Sequence, residues 1–347
     1  MENISAIGVD LSKETMHIQA GNHVGKLLWR KKVDRAGFRE VLEQLPVGST
    51  VYMEACQSSH YWSRAATNKK LIARQISPQF VKPFVKSNKN DYNDAEATLE
   101  AGTRPTMRFV ATKSVEQQEL QAMHRIRSRQ LAESTALINQ IRGILAEHGV
   151  VIGMGPRRLK RYLSEEFSAE KEISPVVCML IEELKNELIT LGERIKKSDK
   201  RILERAKASD LVKRLMTIPG IGILTATALA VVCGDPKMFK NGRQFSAFLG
   251  LVPRQSSTGG KTTLLGISKR GDTYTRMLLI HGARNVVRYA LKKEDEHSLW
   301  IKKLHAVKGM NLTAVAVANK NARIAWRIMT SDEVYKPELP HAALIIQ

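Results

Sequence analysis

The stretch ISAIGVDLSKETMHIQAGNHVGKLLWRKKV, residues 4–33, decides the fold. It reads as three strands in immediate succession: a buried run at Ile4–Val9, a second at Thr15–Ala20, and a third at Lys26–Val33 whose polarity alternates. Outward from it, Ala36–Leu45 has helical spacing, Ser49–Met53 returns to a strand, and Ser58–Lys69 suits a helix with Trp62 in the core. Leu71–Ile76 is a further short strand, and Pro78–Val85 carries the chain on to Asp91.

Three adjacent strands followed by alternating helix and strand are the order of an RNase H-like α/β fold. From Ser114 the periodicity changes. Ser114 and Gln117 form a capping box, and Leu120, Met123, Ile126, Leu131, Ile138, Ile141 and Leu145 follow at helical spacing up to Gly149. A basic loop, GPRRLKR (155–161), precedes a second long helix opened by Ser174 and Pro175. Leu180, Leu184, Leu188, Leu191 and Ile195 give that helix a coiled-coil-like seam, which either pairs two copies of the chain or closes a helical hairpin within one. Further on, IPGIGILTA (218–226) is a helix-hairpin-helix signature in which Gly220 and Gly222 turn the chain and turn backbone N–H groups toward a phosphate. Phe245–Leu251 leads to a Ser/Thr/Gly-rich loop, PRQSSTGGKTT (253–263), then SKRGD (268–272) and final helices at Leu278–Tyr289 and Asn311–Met329. The expected organisation is an α/β domain at 1–112, a helical coiled-coil region at 113–208, and a mainly helical domain at 209–335.

Charge names the class of partner. The 347 residues carry 55 Lys and Arg against 34 Asp and Glu, a formal charge of +21, which attracts polyanions and above all nucleic acid. Three well-separated cysteines exclude a disulfide framework and a cysteine-based zinc site, and suit a reducing cytoplasm of bacterial type. The start MENISAIGVDLSK lacks the pattern of a secretory leader, and no apolar run is long enough to span a membrane, so no membrane partner is expected.

Two groups of residues carry candidate chemistry. Asp10 and Glu54 each end a strand, and in this fold the first and fourth strands are neighbours; Asp91 and Asp94, three apart, share one helical face. Four converging carboxylates require a hard cation, so the expected cofactor is Mg²⁺, with Mn²⁺ as an alternative. Two such ions can activate an attacking oxygen and stabilise a departing one at a phosphodiester. The competing reading makes Asp91 a helix cap, Asp94 a first-turn residue, Asp10 a turn residue and Glu54 an exposed acid. In the second group, the hydroxyls of Ser256 and Ser257 lie in a glycine-containing loop ahead of Lys261, Lys269 and Arg270, where a serine can attack a phosphodiester if cations stabilise the developing charge. For nucleic-acid contact the candidates are Arg157, Arg158, Lys160 and Arg161, the turn at Gly220 and Gly222, and Lys261, Lys269 and Arg270. The competing functions are a two-metal nuclease or junction resolvase that uses water, and a non-enzymatic nucleic-acid-binding scaffold.

GVDLSK (8–13), YMEACQSSHYW (52–62), KNDYNDAEA (89–97), IPGIG (218–222), FLGLVPRQSSTGGKTTLLGISKRGD (248–272) and LLIHGAR (278–284), in that order, resemble transposases of insertion-sequence family 110, and their spelling leans to its 1111 subgroup. The resemblance implies a RuvC-like Asp-Glu-Asp-Asp domain, a coiled-coil linker and a C-terminal transposase domain with a catalytic serine. It also implies a DNA recombinase whose element-encoded noncoding RNA pairs with donor and target DNA. A site split between domains joined by long helices can be completed in trans by another subunit, so a dimer or tetramer on two DNA segments is expected. The acidic set falls on Asp10, Glu54, Asp91 and Asp94. Relatives place the serine directly before a glycine, and here that place holds Thr258. The nucleophile is therefore assigned to Ser257, with Thr258 and Ser256 as alternatives.

Overall fold

The computed structural model describes residues 4–22, 26–86, 90–167 and 173–336. Lys89 of the quoted acidic motif and Met1–Asn3 of the segment read for a leader lie outside them. The chain divides into two compact units, Met1–Gln118 with Ala230–Phe245, and Glu119–Leu229 with Ser246–Gln347.

The first unit is built on a six-stranded sheet. Its strands are β1 (Ala6–Leu11), β2 (Thr15–Gly21), β3 (Leu27–Asp34), β4 (Thr50–Glu54), β5 (Ile72–Ile76) and β6 (Phe109–Val110), in the spatial order β3-β2-β1-β4-β5-β6. β1–β2 and β2–β3 pair antiparallel, β1–β4 and β4–β5 parallel, and β5–β6 antiparallel. The expected adjacency of first and fourth strands is present; the two-residue β6 has no counterpart in the sequence reading. Because strand side chains alternate, the sheet has two distinct faces. Ile7, Val9, Met16, Ile18, Val51 and Met53 form one, packed against Phe38, Val41 and Leu42 of α1 (Arg35–Gln44) and Trp62 and Ala66 of α2 (Ser59–Asn68). Trp62 is fully buried there, its ring edge-on to Phe38. After α3 (Pro78–Val81) the chain reaches α4 (Asp91–Gly102), which covers the opposite face.

Gly8 sets how closely α4 lies on β1. A Cβ at position 8 would stand 2.3 Å from the Ala95 carbonyl oxygen and 2.6 Å from the Leu99 Cβ, so only glycine admits the helix at this depth. Gln19 braces the contact by donating to Glu96 at 3.0 Å.

The second unit is mostly helical. α5 (Val115–Glu147) begins with the predicted capping box, Ser114 N donating to Gln117 Oε1 at 3.0 Å and Gln117 N to Ser114 Oγ at 3.2 Å. α7 (Pro175–Lys207) opens as expected, with Ser174 capping Val177. The α7 seam is met within the chain only in part: Leu188 and Leu191, with Ile181 beside them, pack in one core with Leu137, Ile138, Ile141 and Leu145 of α5, and Leu184 packs against it, whereas Leu180 is exposed. Between them the residues read as a basic loop form a helix, α6 (Pro156–Arg161). Pro156 is preorganised for a first helical position, and Leu159 anchors the turn in that same core.

α8 (Asp210–Leu215) and α9 (Ile223–Val232) flank the Gly220 turn, and α10 (Gly242–Phe248) follows. The segment read as a Ser/Thr/Gly loop is instead a hairpin of β7 (Pro253–Thr258) and β8 (Lys261–Ile267). Gly259 (φ +55°) and Gly260 (φ +79°) form its two-residue turn, with the positive φ pair that matches the twist of the strands. The last helices start earlier than their apolar spacing indicates, because each has an aspartate cap upstream. α11 (Thr273–Ala290) is capped by Asp272 and α12 (Glu296–Thr330) by Asp295; α12 bends at Gly309, φ +68°.

Candidate active site

Residues that alternate away from the α1/α2 core point toward α4. Ile7 and Val9 face that core, so Gly8 and Asp10 face α4; the same parity places His17 and Gln19 of β2, and Tyr52 and Glu54 of β4, on the α4 side. Asp10 pairs in register with His17, and Val9 with Met53, one residue before Glu54. Asp91 is the first residue of α4 and exposed, and Asp94 lies one turn further along. The cap is Asn90, whose side chain accepts from Tyr92 N at 3.0 Å, so Asp91 is not spent on capping.

The acids feel one another. Glu54 is half-buried, and its carboxyl is raised above the usual carboxylate range, first by burial and then by the negative charges of Asp10 and Asp94. The Cys56 thiol beside them is pushed up to about 11 by burial, then by Glu54 and Asp10. Single ligand atoms of Asp10, His17 and Asp91 all lie within 4.8 Å of one another, with His17 Nδ1 3.6 Å from Asp91 Oδ2. Oxygen donors gathered with a buried imidazole nitrogen that lacks a hydrogen-bond partner among the described residues are a donor set that fits a divalent cation. His17 was missed at sequence level: in TMHIQAG its alternation with Met16 and Ile18 gives its face of the strand, but that it stands opposite Asp10 follows only from the β1–β2 register.

The hydroxyl-bearing hairpin is wholly exposed from Pro253 to Gly266. Ser257 pairs with Thr262, Ser256 with Thr263 and Thr258 with Lys261. Cross-strand partners share a face, so Ser257 lies with Gln255 and Thr262, whereas Ser256 and Thr258 lie opposite with Thr263 and Lys261. Ser257 Oγ accepts from Gln255 Nε2 at 2.7 Å and donates to Thr262 Oγ1 at 3.4 Å.

Comparison with known proteins gives this arrangement its context. A family model described as "Transposase", of the DEDD type found in IS110 elements, matches residues 7–149. One described as "Transposase IS116/IS110/IS902 family" matches residues 212–298. The chain is 44% identical over 337 residues to a probable family 20 transposase of Pseudomonas aeruginosa, covering 96% of this chain and 99% of the relative. It is 43% identical to the transposase for insertion sequence element IS1111A of Coxiella burnetii, covering 97% and 92% respectively, and 38% identical to that for IS1328 of Yersinia enterocolitica, covering 96% and 99%. The chain belongs to the IS110 family of transposases. By class, it is a DNA-recombining enzyme.

The transposase presents its expected basic residues to solvent. Arg157, Arg158, Lys160 and Arg161 are exposed on α6, with Arg161 3.8 Å from Glu166. Lys261, Lys269 and Arg270 are exposed too, Lys269 with a left-handed φ of +55°. Gly220 has a packing reason for being glycine: at φ +83°, its Cβ would meet the Val286 side chain at 2.6 Å and the Gly282 carbonyl oxygen at 2.9 Å. Gly222 is exposed, and a Cβ there meets nothing within 4 Å. Both glycines line a cleft of about 480 Å³ with His281, Arg284 and Arg288 of α11. These three side chains recur at helical spacing in HGARNVVR, and Arg284 and Arg288 add cationic groups that the sequence reading of the turn did not include.

Proposed function

We propose that this transposase cuts and rejoins DNA strands using the Asp10, Glu54, Asp91 and Asp94 cluster together with a hydroxyl of the hairpin. The observation that carries the reading is the convergence of Asp10 and Glu54, each fixed at a strand's end, under the first turn of α4 in a chain of charge +21. The strand order supports an RNase H-like, RuvC-like identity for the first domain, 1–112. The α8–turn–α9 segment supports a helix-hairpin-helix within the C-terminal domain, 209–335, and the α5/α7 pairing supports a coiled-coil region at 113–208.

The four carboxylates would hold Mg²⁺ or Mn²⁺, which when bound polarises the scissile phosphate and neutralises charge on the departing oxygen. By fixing where that cation sits, the carboxylates would orient the phosphate. The Ser257 hydroxyl gives up its proton as the Oγ–phosphorus bond forms, and the sugar oxygen takes up a proton as its bond to phosphorus breaks. Attack by a sugar hydroxyl of a second strand reverses the sequence and releases the serine. Exposed cations at Lys261, Lys269 and Arg270 meet phosphates near the reaction, while Arg157, Arg158, Lys160, Arg161 and the Gly220–Gly222 turn hold nucleic-acid backbone.

With aromatics at only 5% there are few platforms for base stacking, which supports sequence choice by a pairing RNA rather than by the protein. Two DNA segments, donor and target, favour a dimer or tetramer. The site of action is the bacterial cytoplasm; among the described residues no helix is long and apolar enough to cross a membrane.

One observation favours a second nucleophile: Thr258, not Ser257, shares its face of the hairpin with Lys261. Denaturing electrophoresis of the protein with labelled DNA separates the readings. Ser257→Ala removes the covalent protein–DNA adduct. An adduct that survives Ser257→Ala and disappears in Thr258→Ala or Ser256→Ala moves the nucleophile to that hydroxyl. Mg²⁺-dependent cleavage without any adduct in the wild type makes water the nucleophile. Sequencing of RNA that copurifies with the protein tests guidance.

A further inference from the structure

Two histidines buried in this chain have opposite surroundings. His124, in the second unit, satisfies both ring nitrogens: Nδ1 lies 3.0 Å from Tyr274 Oη and Nε2 3.0 Å from Thr227 Oγ1. That is the ordinary condition of a structural histidine, since buried polar atoms find partners. His17 breaks the pattern. Its side chain is 6% exposed, and its Nδ1 has no hydrogen-bond partner among the described residues. The nitrogen is aimed into the acidic cluster, 3.6 Å from Asp91 Oδ2, and a ring nitrogen of His17 lies within 4.8 Å of a carboxylate oxygen of Asp10. The ring is held edge-on by Tyr92, 4.8 Å between centroids and 80° between planes. Tyr92 follows Asp91 directly, so the α4 turn that supplies the acid also fixes the imidazole. Donors bound to one small cation stand roughly 3 to 4 Å apart, close to the separations found here.

We infer that His17 is a nitrogen ligand of the cation held by Asp10 and Asp91, and that it turns the site's preference from Mg²⁺ toward Mn²⁺. The inference rests on the reading of the carboxylates as a metal site. Mg²⁺ is a hard ion that favours oxygen donors and gains little from an imidazole. Mn²⁺ accepts the same carboxylates and lies on the series in which nitrogen donors raise affinity. Coordination through Nδ1 places the ring proton on Nε2.

The test uses the full-length protein loaded with Mn²⁺ or Mg²⁺ alone. Titration followed by the electron paramagnetic resonance of free Mn²⁺, with Mg²⁺ as competitor, should give Mn²⁺ about tenfold tighter binding or better. Electron spin-echo modulation of the bound Mn²⁺ should show nitrogen coupling that changes when the histidines are labelled with ¹⁵N, a readout that needs no variant. His17→Gln should remove the coupling and weaken Mn²⁺ roughly tenfold, with less than about a threefold change for Mg²⁺. Bound Mn²⁺ that is lost in Asp10→Asn but shows no nitrogen coupling in the wild type overturns the role of His17 and leaves the carboxylate site standing. Coupling that persists in His17→Gln overturns it equally. Mn²⁺ binding that is absent, or indifferent to Asp10→Asn, removes the carboxylate reading and this inference with it.

Discussion

The two parts of the molecule that carry candidate chemistry are built in opposite ways. Asp10 and Glu54 stand on strands paired on both sides, over a core that includes the fully buried Ile7, Val9, Val51 and Met53. Across them lies α4, so close that position 8 has no space for a methyl group. Ser257 stands on a two-stranded hairpin in which no residue from Pro253 to Gly266 is buried. Carboxylates that repel one another stay together only if the scaffold resists their separation, and a two-sided sheet core does so. Hydroxyls on an exposed hairpin face no such repulsion. An element with few buried contacts opens locally at little cost.

The comparison predicts the greatest loss on the rigid side. Asp10→Asn should reduce strand cleavage by about two orders of magnitude or more, since charge stabilisation of this kind is worth several kcal/mol to a transition state. Its thermal midpoint should not fall, because the exchange removes one of the charges that raise Glu54. Cleavage assays alongside calorimetry check both halves. A variant that keeps full activity would detach the acidic cluster from the chemistry.

Next is the contact that holds the cluster together. Gly8→Val should destabilise the first unit by about 3 kcal/mol, the upper end for overpacking, because the first atom it meets is a backbone oxygen rather than a side chain that can turn away. Urea denaturation measures it. A loss under about 0.5 kcal/mol would mean that α4 is free to lift off the sheet.

These two positions also mark how far the sequence could be read. The first five strands, their order, and the placing of Asp10 and Glu54 near strand ends and of Asp91 and Asp94 in the first turn of a helix were legible, because strand alternation and the ends of apolar runs are local signals. The Ser114 cap and the Ser174–Pro175 helix start were legible for the same reason. Three features were not. GPRRLKR lacks apolar periodicity, and only tertiary burial of Leu159 shows that it is helical. The hairpin carried its signal in Gly259–Gly260 between alternating residues, but a hairpin exposed on both faces has no apolar stripe to announce it. His17 depends on register: that it faces Asp10 follows from the β1–β2 pairing, not from its neighbours in sequence.

The helical unit supplies an intermediate case, where burial acts through a titrating group. Burial, then the positive charge of Arg127, lowers His124 from its ordinary 6.5 to about 4. The folded form therefore refuses a proton that the unfolded chain accepts between those values. Stability is complete above pH 6.5, declines as pH falls toward 4, and loses about 2 kcal/mol between pH 7 and pH 5. His124→Gln, which offers a donor and an acceptor but does not titrate, should flatten that part of the profile. An unchanged slope in the variant would assign the pH dependence to other groups.

The smallest effect is expected at the hairpin turn. Gly259→Ala places a Cβ where nothing lies within 4 Å, so its only cost is the left-handed backbone at φ +55°. That cost is about 1 kcal/mol. Because the hairpin buries no side chain, the penalty should stay local: hydrogen exchange of the β7 and β8 amides speeds up about fivefold, and the melting temperature of the whole protein does not move. Gly266→Ala, also on the hairpin but without a positive φ and equally free of neighbours, should change neither. If Gly259→Ala instead lowers the global melting temperature by several degrees, the hairpin unfolds together with the helical unit. The contrast between a locked acidic face and a loosely held hairpin would then have to be given up.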